Sequence, residues 1–175
     1  MTYDNSYHQP VLKTELMEHF CLTNNSFVID GTVGFGGHAN AILNDYPDIH
    51  YIGFDRDEAA VNYATKRCQS FQNFKIIQQP FSTMVDYINK HHLTPTHILL
   101  DLGVSSYQID HSNRGFTFQK EEVLDMRMDQ STQLTAHHIL NEYSKDTLAT
   151  IFYTNSDVRN SHQIADSIVS ARSLS

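Results

Sequence analysis

The chain has 175 residues, enough for one ordinary domain or one domain with a small appendage. Apolar residues make up 40% of it, which provides for a core and argues against global disorder. The net charge of −8 argues against a protein that grips nucleic acid mainly through phosphates, so an RNA partner would need a local basic surface, a preformed RNA shape or a further segment.

No apolar run approaches the roughly 18 residues of a membrane span. The opening Met1-Thr2-Tyr3-Asp4-Asn5 carries neither a basic start nor an apolar signal core, so secretion is not expected. Cys21 and Cys68 lack CxxC spacing. They read as reduced thiols of a cytoplasmic protein, with no disulfide framework and no zinc site. His91-His92 and His137-His138 show no metal-ligand spacing on a single face and read as solvated. No metal is expected.

In chain order, Ser26 to Asp30 reads as a strand, followed by a glycine loop and a helix from about His38 to Asn44. His50 to Asp55 is a second strand. Glu58 to Ser70 reads as a helix, with Ala60, Tyr63, Ala64 and Arg67 at helical spacing. Phe74 to Ile77 is a third strand, then comes a helix from Met84 to Lys90, then a fourth strand from His97 to Asp101. Strands recurring about every 23 residues, with helices between, imply parallel strands in an open α/β sheet. From Val104 to Gln130 the text is polar and irregular. After Thr132 it is helical, with apolar stripes at Ala136, Ile139, Leu140 and Tyr143, then Leu148, Ile151 and Phe152 behind a Ser144 cap, then Ile164, Ile168 and Val169 after Ser161. No fifth strand is read.

The strongest local signal is Asp30-Gly-Thr-Val-Gly-Phe-Gly-Gly-His38. A strand, a glycine-rich turn and a helix form a nucleotide-cofactor arrangement, because glycine lets the backbone approach a ligand and the helix start offers free N–H groups. Asp55 ends the second strand, where a carboxylate can accept both ribose hydroxyls. NAD enzymes use an acid there too, and Gly34-x-Gly36-x-x-Ala39 satisfies the relaxed dinucleotide fingerprint. Three acids, Asp30, Asp55 and Asp101, end strands at the same edge of the sheet, which suits a cationic methyl donor better than a pyrophosphate. Duller readings stand beside these. Asp30 could cap the next helix, Asp55 could belong to a solvated turn with Arg56 and Asp57, and Phe81 could be plain core rather than a platform for an adenine ring. Arg127 in Leu124-Asp-Met-Arg-Met-Asp129 could simply hold a turn to a carboxylate.

Taken together, several strings resemble the ribosomal RNA small subunit methyltransferase H family, also called MraW. They are His8-Gln-Pro-Val-Leu12, the glycine loop, Phe54-Asp-Arg-Asp57, Pro80-Phe-Ser82, Leu99-Leu-Asp-Leu-Gly-Val-Ser-Ser106, Arg114-Gly-Phe-Thr-Phe118 and Leu124-Asp-Met-Arg-Met-Asp129. The resemblance implies a Rossmann-like class I methyltransferase sheet, here partial with about four parallel strands, carrying a helical inserted domain. It implies methylation of N4 of a cytidine in small-subunit (16S) ribosomal RNA, with S-adenosyl-L-methionine as donor. Cofactor contacts are implied at Gly36, Gly37, His38, Asp55, Phe81, Asp101 and Gln108, and Asp101 is the candidate for electrostatic support of catalysis. Residues 1–110 would be the donor-binding half and 111–175 a linker and helical substrate-recognition insertion, in a bacterial cytoplasm or an organelle. The family usually has proline where this chain has Tyr107. It also continues well past this chain's last residue, so the chain reads as a truncated relative. Its fourth strand would be an open apolar edge that admits a partner strand, as in a homodimer. The alternative functions are a non-catalytic donor-binding fragment and, more distantly, an NAD-dependent enzyme.

Overall fold

The computed structural model describes residues 10–172. It divides into two compact units, one ending at Tyr107 and one beginning at Gln108. The expected N-terminal features at Met1–Asn5, and His8 and Gln9 of the first matching string, lie outside the described residues.

The first unit is a parallel sheet in the order β3-β2-β1-β4, with β1 at Phe27–Asp30, β2 at His50–Asp55, β3 at Phe74–Gln78 and β4 at His97–Leu99. In β1 the residues Val28, Ile29 and Asp30 are all buried, as a central strand covered on both faces requires. On one face Val28, Tyr51 and Val33 pack with Ala39, Ile42 and Leu43 of α2 (Gly37–Asp45). The half-buried Leu16, Met17 and Phe20 of α1 (Lys13–Phe20) add to that layer. On the other face Ile29 and Phe54 pack with Met84, Tyr87 and Ile88 of α4 (Met84–Lys90). The expected α/β sheet is therefore present, with helices on both sides.

α3 (Glu58–Arg67) starts at Asp57, whose carboxylate accepts the Ala59 N–H at 3.0 Å, and ends three residues before the expected Ser70, at the Cys68 cap. The fourth strand is also shorter than expected. Its ladder with β1 stops at Asp30↔Leu99, because β1 turns away at Gly31 to begin the glycine loop and leaves Leu100 and Asp101 nothing to pair with. Two helices went unread in the sequence. α1 follows Leu12 in a left-handed conformation with no side-chain cap, and it has no fully buried residue. The other, α5 (Ser106–Asp110), is a single short turn inside the stretch read as irregular.

In the second unit α6 (Ala136–Glu142), α7 (Lys145–Asn155) and α8 (Ser161–Ala171) enclose Leu148, Ala149 and Ala165, with Ile139, Leu140, Tyr143, Phe152, Ile168 and Val169 around them. The Ser144 hydroxyl accepts the Thr147 N–H at 3.2 Å, so the expected cap is present. Arg172 donates to the carbonyls of Leu140 and Tyr143 at 2.6 and 2.7 Å, tying the end of α8 to the end of α6.

The segment before these helices is held by two arginines. The buried Arg114 guanidinium donates to the carbonyls of Arg127 and Met128. Arg127 grips Asp125 bidentately at 2.7 and 2.6 Å, so the turn reading of this string is what the structure contains. The Arg127 side-chain bonds hold the Asp125 carboxyl below its ordinary range, against a smaller upward push from desolvation. A depressed folded value means that the contribution is complete above the unfolded pKa and is lost as pH falls through the folded one. Asp125→Asn should therefore lower the urea midpoint near neutral pH, and its gap to the native chain should close as pH is taken below about 4. A gap of constant width, followed by circular dichroism, would rule out the ion pair as the cause.

Candidate functional site

The carboxyl end of β1 is where the sheet's connectivity divides. Asp30 pairs with Gly53 of β2 on one side and Leu99 of β4 on the other. The backbone continues the division for three residues. Gly31 N–H donates to the Leu99 carbonyl at 2.9 Å, and Val33 N–H to the Phe54 carbonyl at 3.0 Å. A crevice opens between strands that part in this way, and ligands of open α/β sheets bind there.

Asp30 does not face that crevice. It is 1% exposed, and its two oxygens accept from the Tyr51 hydroxyl at 2.7 Å and the Thr32 N–H at 2.9 Å. The expectation of three acids converging on a cation is corrected to two, because the first is turned into the protein by its partner on β2. It does not cap α2 either, whose N-cap is Gly36. The Thr32 hydroxyl in turn accepts the Asp101 N–H at 2.6 Å, which fixes the backbone after β4 against the loop. Neither Tyr51 nor Thr32 was singled out in the sequence. The available signals were an aromatic with a polar tip in a buried strand, which needs a partner, and a hydroxyl two residues after an aspartate.

Asp55 is half-buried at the end of β2. Its oxygens accept the Gly34 N–H and the Asp57 N–H, each at 2.9 Å. Burial pushes its pKa up, while those backbone bonds pull it back down. Two close donors orient the carboxylate and leave acceptor capacity on its oxygens. Gly34 and Gly36 are both left-handed, with φ of 51° and 71°, where a β-carbon is strained. Among the described residues, a β-carbon on Gly34 would meet nothing closer than the Thr32 carbonyl at 3.8 Å, so none of them covers that side of the loop.

Phe81 follows β3 in a short 3-10 turn (Phe81–Thr83) and is 36% exposed. Its β-carbon lies 2.8 Å from where one on Gly31 would stand, so it borders the start of the loop. Asp101 is exposed beyond β4. Asp55, Phe81 and Asp101 thus converge on residues 31–34. The rest of the loop packs elsewhere. Gly36 lies over Ala64 of α3 and Gly37 against Pro10. The His38 ring is buried, its Nε2 2.9 Å from the Val11 carbonyl, so what His38 offers a ligand is its first-turn N–H. Gln108 is buried and opens the second unit. Among the described residues no three His, Cys, Asp or Glu side chains gather as a metal site, and no helix is long and apolar enough to cross a membrane.

A parallel sheet dividing at β1, with a left-handed glycine loop and an oriented carboxylate at the division, defines a Rossmann-like α/β protein. The MraW methylase family model matches residues 5–175, and the chain belongs to that family. It is 38% identical to a ribosomal RNA small subunit methyltransferase H of Mycoplasma mobile, over 98% of this chain and 57% of that protein. It is 41% identical to the protein of the same name from Sulfurimonas denitrificans, over 94% of this chain and 54% of that one. The chain spans about half the length of the curated relatives it matches.

Burial raises the Asp30 pKa from 3.8 to about 6, against the opposing bonds from Tyr51 and Thr32. A raised acid value means that folding favours the neutral form, so stability falls as pH rises through the interval between those two values. Asp30→Asn keeps a neutral partner for Tyr51 and Thr32. Relative to the native chain it should gain on the order of 3 kcal/mol between about pH 4 and pH 7.5 in denaturant titrations. An unchanged difference at the two pH values would refute this account of Asp30.

Proposed function

We propose that this chain supplies the donor site of an S-adenosyl-L-methionine-dependent methyltransferase that modifies N4 of a cytidine in small-subunit (16S) ribosomal RNA, in the bacterial cytoplasm. The observation that carries the reading is Asp55, oriented by Gly34 N–H beside a loop whose outer side no described residue covers. Membership of the MraW methylase family and the names of the bacterial relatives support it.

The residues fit the donor. Asp55 has acceptor capacity for the two ribose hydroxyls, and Phe81 offers an exposed aromatic face to the adenine. Asp101 is an exposed carboxylate across the crevice, suited to the positive sulfonium end. The first-turn N–H groups of α2 remain for the donor's own carboxylate. A dinucleotide would instead bring a pyrophosphate to a crevice bordered by two acids, which disfavours an NAD enzyme.

When bound, the donor supplies a methyl group on a sulfonium. The protein's part is to hold the acceptor nitrogen in line with it, which is worth up to about 7–11 kcal/mol. The cytosine amino lone pair is delocalised into the ring, so a nearby acceptor helps as positive charge develops on nitrogen. Asp101 is the group we assign to that support. The base must be unstacked to reach the crevice, which costs least in a single-stranded loop.

Calorimetry on the 175-residue chain should give heat with S-adenosyl-L-methionine and none with NAD, and Asp55→Ala should weaken donor binding at least about tenfold. With labelled donor and small ribosomal subunits, the label should appear on N4 of cytidine in nucleoside digests. Label on another base would overturn the substrate assignment, and heat with NAD alone would overturn the donor.

A further inference from the structure

Phe35 stands between the two left-handed glycines of the loop, so its neighbours contribute no side chain that could anchor the crest. Its own ring is 8% exposed and lies between two tyrosines. The Tyr63 ring of α3 meets it edge-on, with centroids 5.1 Å apart, and the Tyr107 ring of α5 lies tilted against it at 4.8 Å. Both separations are within the range of attractive aromatic pairing. The Phe35 carbonyl also accepts from Arg67 of α3 at 3.3 Å. The crest is therefore pinned to α3, on the Asp55 side of the crevice, and to Tyr107, six residues after Asp101 on the other side. Thr32 already ties Asp101 to the root of the loop. Phe35 and Tyr107 make the matching tie at its crest.

Resting on the donor-site reading above, we propose that Tyr107 is a positioning residue for the methyl donor. Through the Phe35 ring it holds the crest of the glycine loop and the segment following β4 in one arrangement, so that Gly34 and Asp101 face the same ligand. Tyr107 is half-buried and lies outside both clusters that form the core of the first unit. Its loss is a local loosening and leaves the sheet intact.

The test compares Tyr107→Ala and Tyr107→Phe with the native chain by two measurements. The first is amide hydrogen exchange without ligand. In Tyr107→Ala the Gly34 and Gly36 amides should exchange about tenfold faster, while those of β1 and β2 keep their rates and Tyr107→Phe matches the native chain. Unchanged loop rates in Tyr107→Ala would overturn the clamp, and acceleration throughout the sheet would make Tyr107 a general stability residue instead. The second is calorimetry with S-adenosyl-L-methionine, where Tyr107→Ala should bind about tenfold more weakly and Tyr107→Phe normally. Faster loop exchange with undiminished affinity would overturn the positioning role. A native chain that binds no S-adenosyl-L-methionine would refute the donor reading, while the exchange rates would still decide whether the clamp exists.

Discussion

The structure of the first unit turns on a chain of bonds only a few residues long. Tyr51 on β2 donates to Asp30 at the end of β1, Thr32 donates its N–H to the same carboxyl, and Asp101 beyond β4 donates to the Thr32 hydroxyl. Three strands that part from one another are thereby joined at the point where the sheet divides. A buried carboxyl without those donors would be costly, so Asp30 is tolerated only with this arrangement around it. Everything that borders the crevice takes its place from this junction: Gly34 against Asp55, Phe81 beside Gly31, and Asp101 across from both.

Much of the sheet was legible because β1 and β2 are buried on both sides and show as apolar runs bounded by turn residues. The face of α3 was legible as well. Of Ala60, Tyr63, Ala64 and Arg67, the two alanines are buried and the other two meet Phe35. Local signals of that kind survive folding because they depend on spacing alone. What escaped depends on partners far away in sequence. The direction of Asp30 is set by Tyr51, twenty-one residues on. The end of β4 is set by where β1 turns. No pattern near Tyr107 announces a ring at position 35. At the candidate site, Asp55, Phe81 and Asp101 stood out because strand ends are where such chemistry collects. His38 was named through the family resemblance alone, and its ring faces Val11.

The second unit explains how an acidic chain uses its arginines. Arg114, Arg127 and Arg172 donate to main-chain carbonyls in stretches where helix and strand do not satisfy them. Arg127 adds a forked grip on Asp125, which the planar guanidinium permits and a lysine ammonium does not. The string that looked least physical in the sequence, Leu124 to Asp129, is the one these side chains shape. Met126 is left-handed there, and its N–H donates to the Arg114 carbonyl at 2.7 Å.

Gly36 also bears on Cys68. A β-carbon at Gly36 would stand 3.5 Å from the Cys68 sulfur, so the thiol lies directly beneath the loop. Desolvation by burial pushes that thiol up to about 11, leaving it unreactive in the folded chain. Cys21 is exposed and would be alkylated first. Cys68 also belongs to the buried cluster of Val28, Ile42 and Tyr51, so the slower second alkylation would time openings of the packing that the loop, α3 and the sheet share.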